Sequence, residues 1–215
     1  GQSDKIGRTF NNFLYFAMIN YAFNRENSIR MFFRSSTNAP SVTQLQNIFD
    51  VSTPQYLSIG NSALDPSFSH NINFHYIHSN IEKGRTFMWM FSGQITQDYV
   101  GQKIYYNPET ITIDGEEYNP LQYSTYENMN GSSSLRTHLS YGFPIAPIKC
   151  NLNLMVGYSW TRTPSKINDQ LNITNNMGYD AMISLGSNIS ENIDFTIQWN
   201  GAYNDAKQSL AGRNS

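Results

Sequence analysis

Four histidines, one cysteine and a short run of acids are the side chains of this 215-residue sequence with reactive chemistry to offer. Their spacing argues against a site. His70 and His78 share a parity but stand roughly 26 Å apart along an extended chain. His75 has the opposite parity, and His138 falls in a distant segment. A zinc ion needs its ligands at about 2.0–2.1 Å, so no metal centre is expected. Asp114, Glu116 and Glu117 lie in a polar stretch where neighbouring carboxylates are ordinarily solvated. No Ser–His–Asp set has the strand–turn–helix setting of a nucleophile elbow. Neither an enzyme activity nor a cofactor is expected. Cys150 is alone, which excludes an intrachain disulfide and a thiolate cluster.

A softer candidate is a set of tyrosines. The stretch Gly101–Ser132 holds Tyr105, Tyr106, Tyr118, Tyr123 and Tyr126. Such rings offer flat apolar faces with a polar tip, suited to a small ligand, a glycan or a peptide. The alternative, which the sequence favours, is that they pack this segment down onto whatever it caps.

The elements that would position these residues are read from periodicity. In "SFSHNINFHYIHSN", Ser67–Asn80, Phe68, His70, Ile72, Phe74, Tyr76 and His78 share one parity, and mostly Ser and Asn the other. Ile77 is the one apolar residue on the polar side. Side chains of a strand alternate between faces, so this is a strand with one apolar and one wet face. It is about fourteen residues long, where ordinary strands run to about 5–6. The same alternation recurs in Phe13–Phe23, Ile29–Phe33, Phe87–Tyr99, Leu135–Phe143, Leu152–Trp160, Tyr179–Leu185 and Phe195–Tyr203, making eight candidate strands.

The connections alternate in length. Short turns are expected at Asn24–Asn27, Asn80–Gly84, Pro144–Ile148 and Asn188–Asn192, and long loops at Thr37–Pro66, Gly101–Ser132 and Thr163–Met177. This is the rhythm of an up-and-down meander with its long loops at one end, the asymmetry of outer-membrane barrels. Phe87, Trp89, Tyr141, Phe143 and Phe195 fall near the short turns, and Phe68, Tyr99, Tyr158, Trp160 and Tyr203 near the long loops. Two aromatic tiers with aliphatic residues between them suit the two membrane–water interfaces. A strand tilted by about 45° needs roughly 9–11 residues to cross the hydrocarbon. Within the long loops, "TITIDGEEY" reads as a small hairpin around Asp114–Gly115. "SVTQLQNIFD" reads as one amphipathic turn.

Composition agrees. Charged residues make up 14% of the chain, against about 25% in ordinary soluble domains. Aromatic residues also make up 14%, from 14 Tyr, 13 Phe and 3 Trp. The net charge is -2 with no basic stripe, so nucleic acid is not an expected partner. No apolar run is long enough for a transmembrane helix. Gly1 before Gln2 reads as the scar of a cleaved tag, from which a longer parent protein is expected. The sequons at Asn130, Asn172 and Asn188 read as chance matches in an Asn-rich chain.

Two stretches carry a family resemblance: "RSSTNAPSVTQLQ", Arg34–Gln46, and "LSIGNSALDPSFSHN", Leu57–Asn71. The second contains a GN-x-x-L-x-P turn, Gly60, Asn61, Leu64 and Pro66. With "KGRTF" at Lys83–Phe87 and "LGSNISENIDF" at Leu185–Phe195, they resemble the outer membrane protein β-barrel family of Gram-negative bacteria, related to TonB-dependent receptors. The resemblance implies an outer-membrane location and a role in ligand capture and uptake. It also implies contact with outer-membrane lipid and a TonB-type energising partner. TonB-dependent receptors have about 22 strands and a plugged lumen, whereas this chain has eight candidate strands and no recognisable plug or TonB-box segment.

The expected fold is therefore all-β: an antiparallel up-and-down meander of about eight long strands, forming one transmembrane β-barrel segment over residues 1–215. Eight strands cut from a larger barrel are expected to close on themselves or to self-associate, because bare edges pair readily. The alternatives are a self-contained eight-stranded outer-membrane barrel with a structural or surface-binding role, and a soluble carbohydrate-binding β-sandwich.

Overall fold

The computed structural model describes residues 13–187 and 195–210. Numbered along the chain, eight long strands form the wall: β1 Phe16–Ala22, β2 Asn27–Asn38, β5 Ser67–Asn80, β6 Arg85–Gln97, β11 Ser132–Ile145, β12 Cys150–Ile167, β13 Gln170–Ser187 and β14 Thr196–Gln208. Six shorter strands belong to the connections: β3 Phe49–Asp50, β4 Tyr56–Ile59, β7 Tyr99–Tyr106, β8 Ile111–Ile113, β9 Glu116–Tyr118 and β10 Gln122–Met129. One helical turn, α1 Val42–Leu45, precedes β3. The wall strands pair antiparallel in the order β1-β2-β5-β6-β11-β12-β13-β14, an up-and-down meander.

Register unites the eight apolar faces. Ile19 pairs with Met31, Met31 with Phe74, Phe74 with Phe91, Phe91 with Thr137, Thr137 with Tyr158, Tyr158 with Tyr179 and Tyr179 with Tyr203. Paired residues point to the same side of a sheet, so the greasy parity of each strand joins one continuous outer surface. The other parity forms the inner surface, where Asn73, Ser92, Arg136, Ser159, Gly178 and Asn204 stand in one row.

The wall has almost no dry core. Trp199, Ile197, Tyr203, Ile95 and Val156 are each more than half exposed. An apolar surface this extensive marks a face meant for another apolar phase, here lipid. Within hydrocarbon every backbone group must find its partner inside the sheet, and long ladders meet that demand. Three of the four buried hydrophobic residues lie in the connections at one end, Leu57 and Leu64 each 1% exposed and Met129 6%; the fourth, Cys150 at 4%, opens β12 at the other end.

Several expectations are corrected. Thr163–Met177 is no loose loop: β12 and β13 run on to Ile167 and from Gln170, closed by Asn168 and Asp169, both at positive φ (47° and 64°). Asn and Asp tolerate that geometry, and beyond the lipid nothing requires apolar alternation, so periodicity carried no signal there. Thr37–Pro66 and Gly101–Ser132 also hold ordered elements. Asp114 and Gly115, at φ 51° and 88°, close the expected hairpin as β8–β9. A capping box of Ser41 and Gln44 fixes the expected turn as α1. The turn placed at Pro144–Ile148 begins later, since β11 runs to Ile145 and a 3₁₀ turn spans Ala146–Ile148. The turn at Asn188–Asn192 lies outside the described residues, as does the Gly1–Gln2 scar.

The strands do not close on one another. Among the described residues β1 pairs only with β2 and β14 only with β13, so the wall is an open, curled sheet.

Candidate functional site

The chemistry of this chain gathers in two places: the rim at the long-loop end, and the inner wall below it. The rim begins where the β6–β11 ribbon leaves the wall. Below Arg162 the neighbour of β12 is β11, through the pair Ser133–Arg162. At Lys166 and Ile167 the neighbour is instead β7, running parallel through Lys103 and Ile104. The ribbon therefore turns over about its own axis between the pairs Thr96–Ser132 and Tyr99–Met129. Asp98 (φ 50°) and Gly131 (φ 96°) sit at that crossing, where the Asp98 N–H donates to Asn130 Oδ1 at 3.1 Å. Here Tyr99 leaves the outer aromatic tier: it lines a cavity with Ser67, Ser69, Gln94 and Thr96 of the inner face. The irregular step at Asp98 breaks the alternation on which its outer placement rested.

The GN-x-x-L-x-P turn pins the rim together. The N–H groups of Gly60 and Asn61 donate to the carbonyls of Gln46 and Gln44 at 3.0 and 2.6 Å. A Cβ on Gly60 would stand 2.3 Å from the Gln46 carbonyl oxygen, so only glycine permits this approach. Asn61 closes its own turn by accepting from the Ala63 N–H and reaches across to donate to the Tyr126 carbonyl, both at 2.9 Å. Leu64 of the same turn is buried. Asn128 ties the same turn to the ribbon crossing. Its side-chain Oδ1 accepts from the Asp65 N–H at 2.8 Å, and its Nδ2 donates to the backbone carbonyls of Asp65 and Asp98 at 2.9 and 2.8 Å.

Ion pairs latch the outermost hairpins. Lys103 Nζ lies 2.6 Å from Asp169 Oδ1 and 3.8 Å from Glu127 Oε2, and Lys166 donates to Glu127 Oε1. Tyr105 OH donates to Asp169 at 3.0 Å. The hydrogen bond from Lys103, reinforced by that from Tyr105, holds the Asp169 carboxyl below the usual carboxylate range. The bond to Asp169, then that to Tyr105, raises the Lys103 ammonium above the ordinary lysine range.

The five loop tyrosines do not form one cluster. Tyr105 and Tyr123 stack at 5.7 Å, and Phe49 lies 6.2 Å from Tyr123. Tyr106 and Tyr126 fall on the opposite parity of the β7–β10 ribbon. Tyr118 stands apart on β9, bonded to Glu116. The histidines are likewise dispersed. His70 meets Tyr15 OH at 3.1 Å, His78 meets Asn27 Oδ1 at 2.9 Å, and His138 lies 3.6 Å from Asp180. Among the described residues no three His, Cys, Asp or Glu side chains gather at a metal-binding distance. Asn172, one of the three sequons, is buried and bonded to Ser165, Ser209 and Leu210. Sequence reasoning missed Lys103, Glu127, Lys166, Asp169 and Asn128, because their partners are distant along the chain and no local pattern links them.

The inner wall carries a cavity of about 470 Å³, lined by Asn71, Asn73, Ser92, Gln94, Ser134, Arg136, Ser159 and Thr161 among others. Nearly all of these have the polar parity seen in the sequence. Two further hollows share its lining, one through Gln94 and Ser134 and one through Ser159 and Thr161. A polar track thus crosses the sheet just below the rim.

No curated protein matches the sequence. Among solved structures, a mutant of the ferric enterobactin receptor of Pseudomonas aeruginosa is similar, at 10% identity and a TM-score of 0.49. The similarity covers 90% of this chain and 32% of that receptor, so the chain spans about a third of its length. The sequence model of the Outer membrane protein beta-barrel family matches residues 2–215. With the one-sided wall and its single rim, this match makes the chain a member of that outer-membrane family.

Proposed function

We propose that this chain is a portion of the barrel wall of a TonB-dependent receptor-like protein, serving ligand capture and uptake across the outer membrane. The observation that carries this reading is the pairing of an ordered, tied-down rim with a polar track across the inner wall just below it, on a sheet whose other face is apolar. A rim built from several loops can hold a solute at the outer surface, and a polar wall gives it a wet path inward. The role is binding and passage, not catalysis. An energising partner of the TonB type would act through other parts of a full receptor.

The alternative is a self-contained eight-stranded barrel acting as a structural or surface-binding protein. The open sheet favours the first reading, since among the described residues β1 and β14 lack the mutual pairing that such a barrel needs.

Uptake is tested in cells with and without the parent gene, grown in a defined solute mixture, with and without a protonophore. The proposal expects a solute that is depleted only by energised cells carrying the gene. Equal depletion in all cells, or depletion indifferent to the protonophore, would contradict it.

A further inference from the structure

We infer that the inner wall holds an anion site centred on Arg136, whose ligand is a hydroxyl-rich oxyanion such as a carboxylated polyol. This deepens the uptake reading and rests on it for its biological meaning. Three observations converge. First, Arg136 lines the 470 Å³ cavity, a size typical of small-molecule sites, and it stands just below the rim, with Ser92 and Ser159 as its cross-strand neighbours. Second, among the described residues its guanidinium makes no hydrogen bond or ion pair, as is also true of Arg34 on the same face, whereas Arg30 donates to Asn20 and the rim lysines Lys103 and Lys166 are paired. Third, the charges on the inner parity of the wall strands are Arg30, Arg34 and Arg136 against Asp180 alone. Asp180 is engaged by His138.

The chemistry follows from the groups present. A guanidinium offers a planar fork of donors that matches a carboxylate or phosphate with two parallel hydrogen bonds. Around it stand the amides of Asn71, Asn73 and Gln94 and the hydroxyls of Ser134 and Thr161, which both donate and accept. That set suits ligand hydroxyls, and Leu135 is the one apolar side chain in the lining. The excess positive charge draws anions along the track towards the site.

The test is calorimetric titration of the chain, folded in detergent micelles, with gluconate and with its uncharged counterpart sorbitol. Gluconate is expected to bind, with sorbitol weaker by roughly tenfold or more, as loss of a charge-assisted hydrogen bond implies. Arg136→Gln should reduce gluconate affinity to the sorbitol level. Arg85→Gln, at the β5–β6 turn and away from the cavity, should leave it unchanged. Equal binding of gluconate and sorbitol, no gluconate binding, or full binding by Arg136→Gln would overturn the inference. Because the readout is binding to the wall itself, failure of the uptake experiment would leave this result standing.

Discussion

The side chains that matter most for the rim are polar groups acting across long stretches of sequence. Asp169 is the clearest, since one carboxylate receives both Lys103 and Tyr105. Its depressed carboxyl means that the latch is present above the ordinary aspartate range, near pH 4, and is lost as pH falls through the lower folded value. The raised Lys103 ammonium sets the opposite limit: its contribution is complete below the ordinary lysine range and fades as pH rises through the folded value. The Tyr106 amide donates to Asn168 Oδ1 at 2.9 Å and reports on this hairpin. Its hydrogen-exchange protection, corrected for intrinsic rate, should fall at pH 3 relative to wall amides. The fall should be much smaller in Asp169→Asn, whose latch is already weakened at neutral pH. An equal fall in both proteins would place the acid sensitivity elsewhere.

At the scale of elements, the account turns on one short turn and one crossing. Gly60→Ala would drive a methyl group into backbone carbonyls that cannot swing away. Overpacking of this kind costs about 1–3 kcal/mol, and a lowered urea midpoint in micelles would show it; an unchanged midpoint would mean that the turn is not closely packed. The eight wall strands were legible in the sequence because lipid on one side and water on the other impose a strict period of two. Phe74, Tyr158 and Tyr203 signalled their outer placement individually. The same logic failed at Tyr99, where the step at Asp98 resets the parity. It was silent over Thr163–Met177, where a hairpin clear of the membrane needs no apolar face. The Asn128 and Lys103 networks left no local trace, since their partners are brought together only by the turned-over ribbon. The inner cavity was half legible: its polar parity was visible, but the placement of Arg136 between Ser92 and Ser159 needed the register.

For the whole molecule, the two faces of one sheet should respond oppositely to the same substitution. Val156 lies on the outer parity between the aromatic tiers, and Met155 beside it faces inward. Val156→Arg should cost about 2–4 kcal/mol in a bilayer, as arginine near the midplane does, whereas Met155→Arg should cost far less. Equal costs would mean that the two faces share one environment. The most direct measurement of the central claim is a spin-label scan along β12 from Leu152 to Trp160, in a Cys150→Ser background reconstituted in lipid vesicles. Collision with oxygen, which is concentrated in lipid, should peak at Leu152, Leu154, Val156 and Tyr158. Collision with a water-soluble nickel chelate should peak at Asn153, Met155, Gly157 and Ser159. A period of two in antiphase between the probes is the predicted result, and uniform access of the nickel chelate to both faces would contradict a membrane-spanning wall.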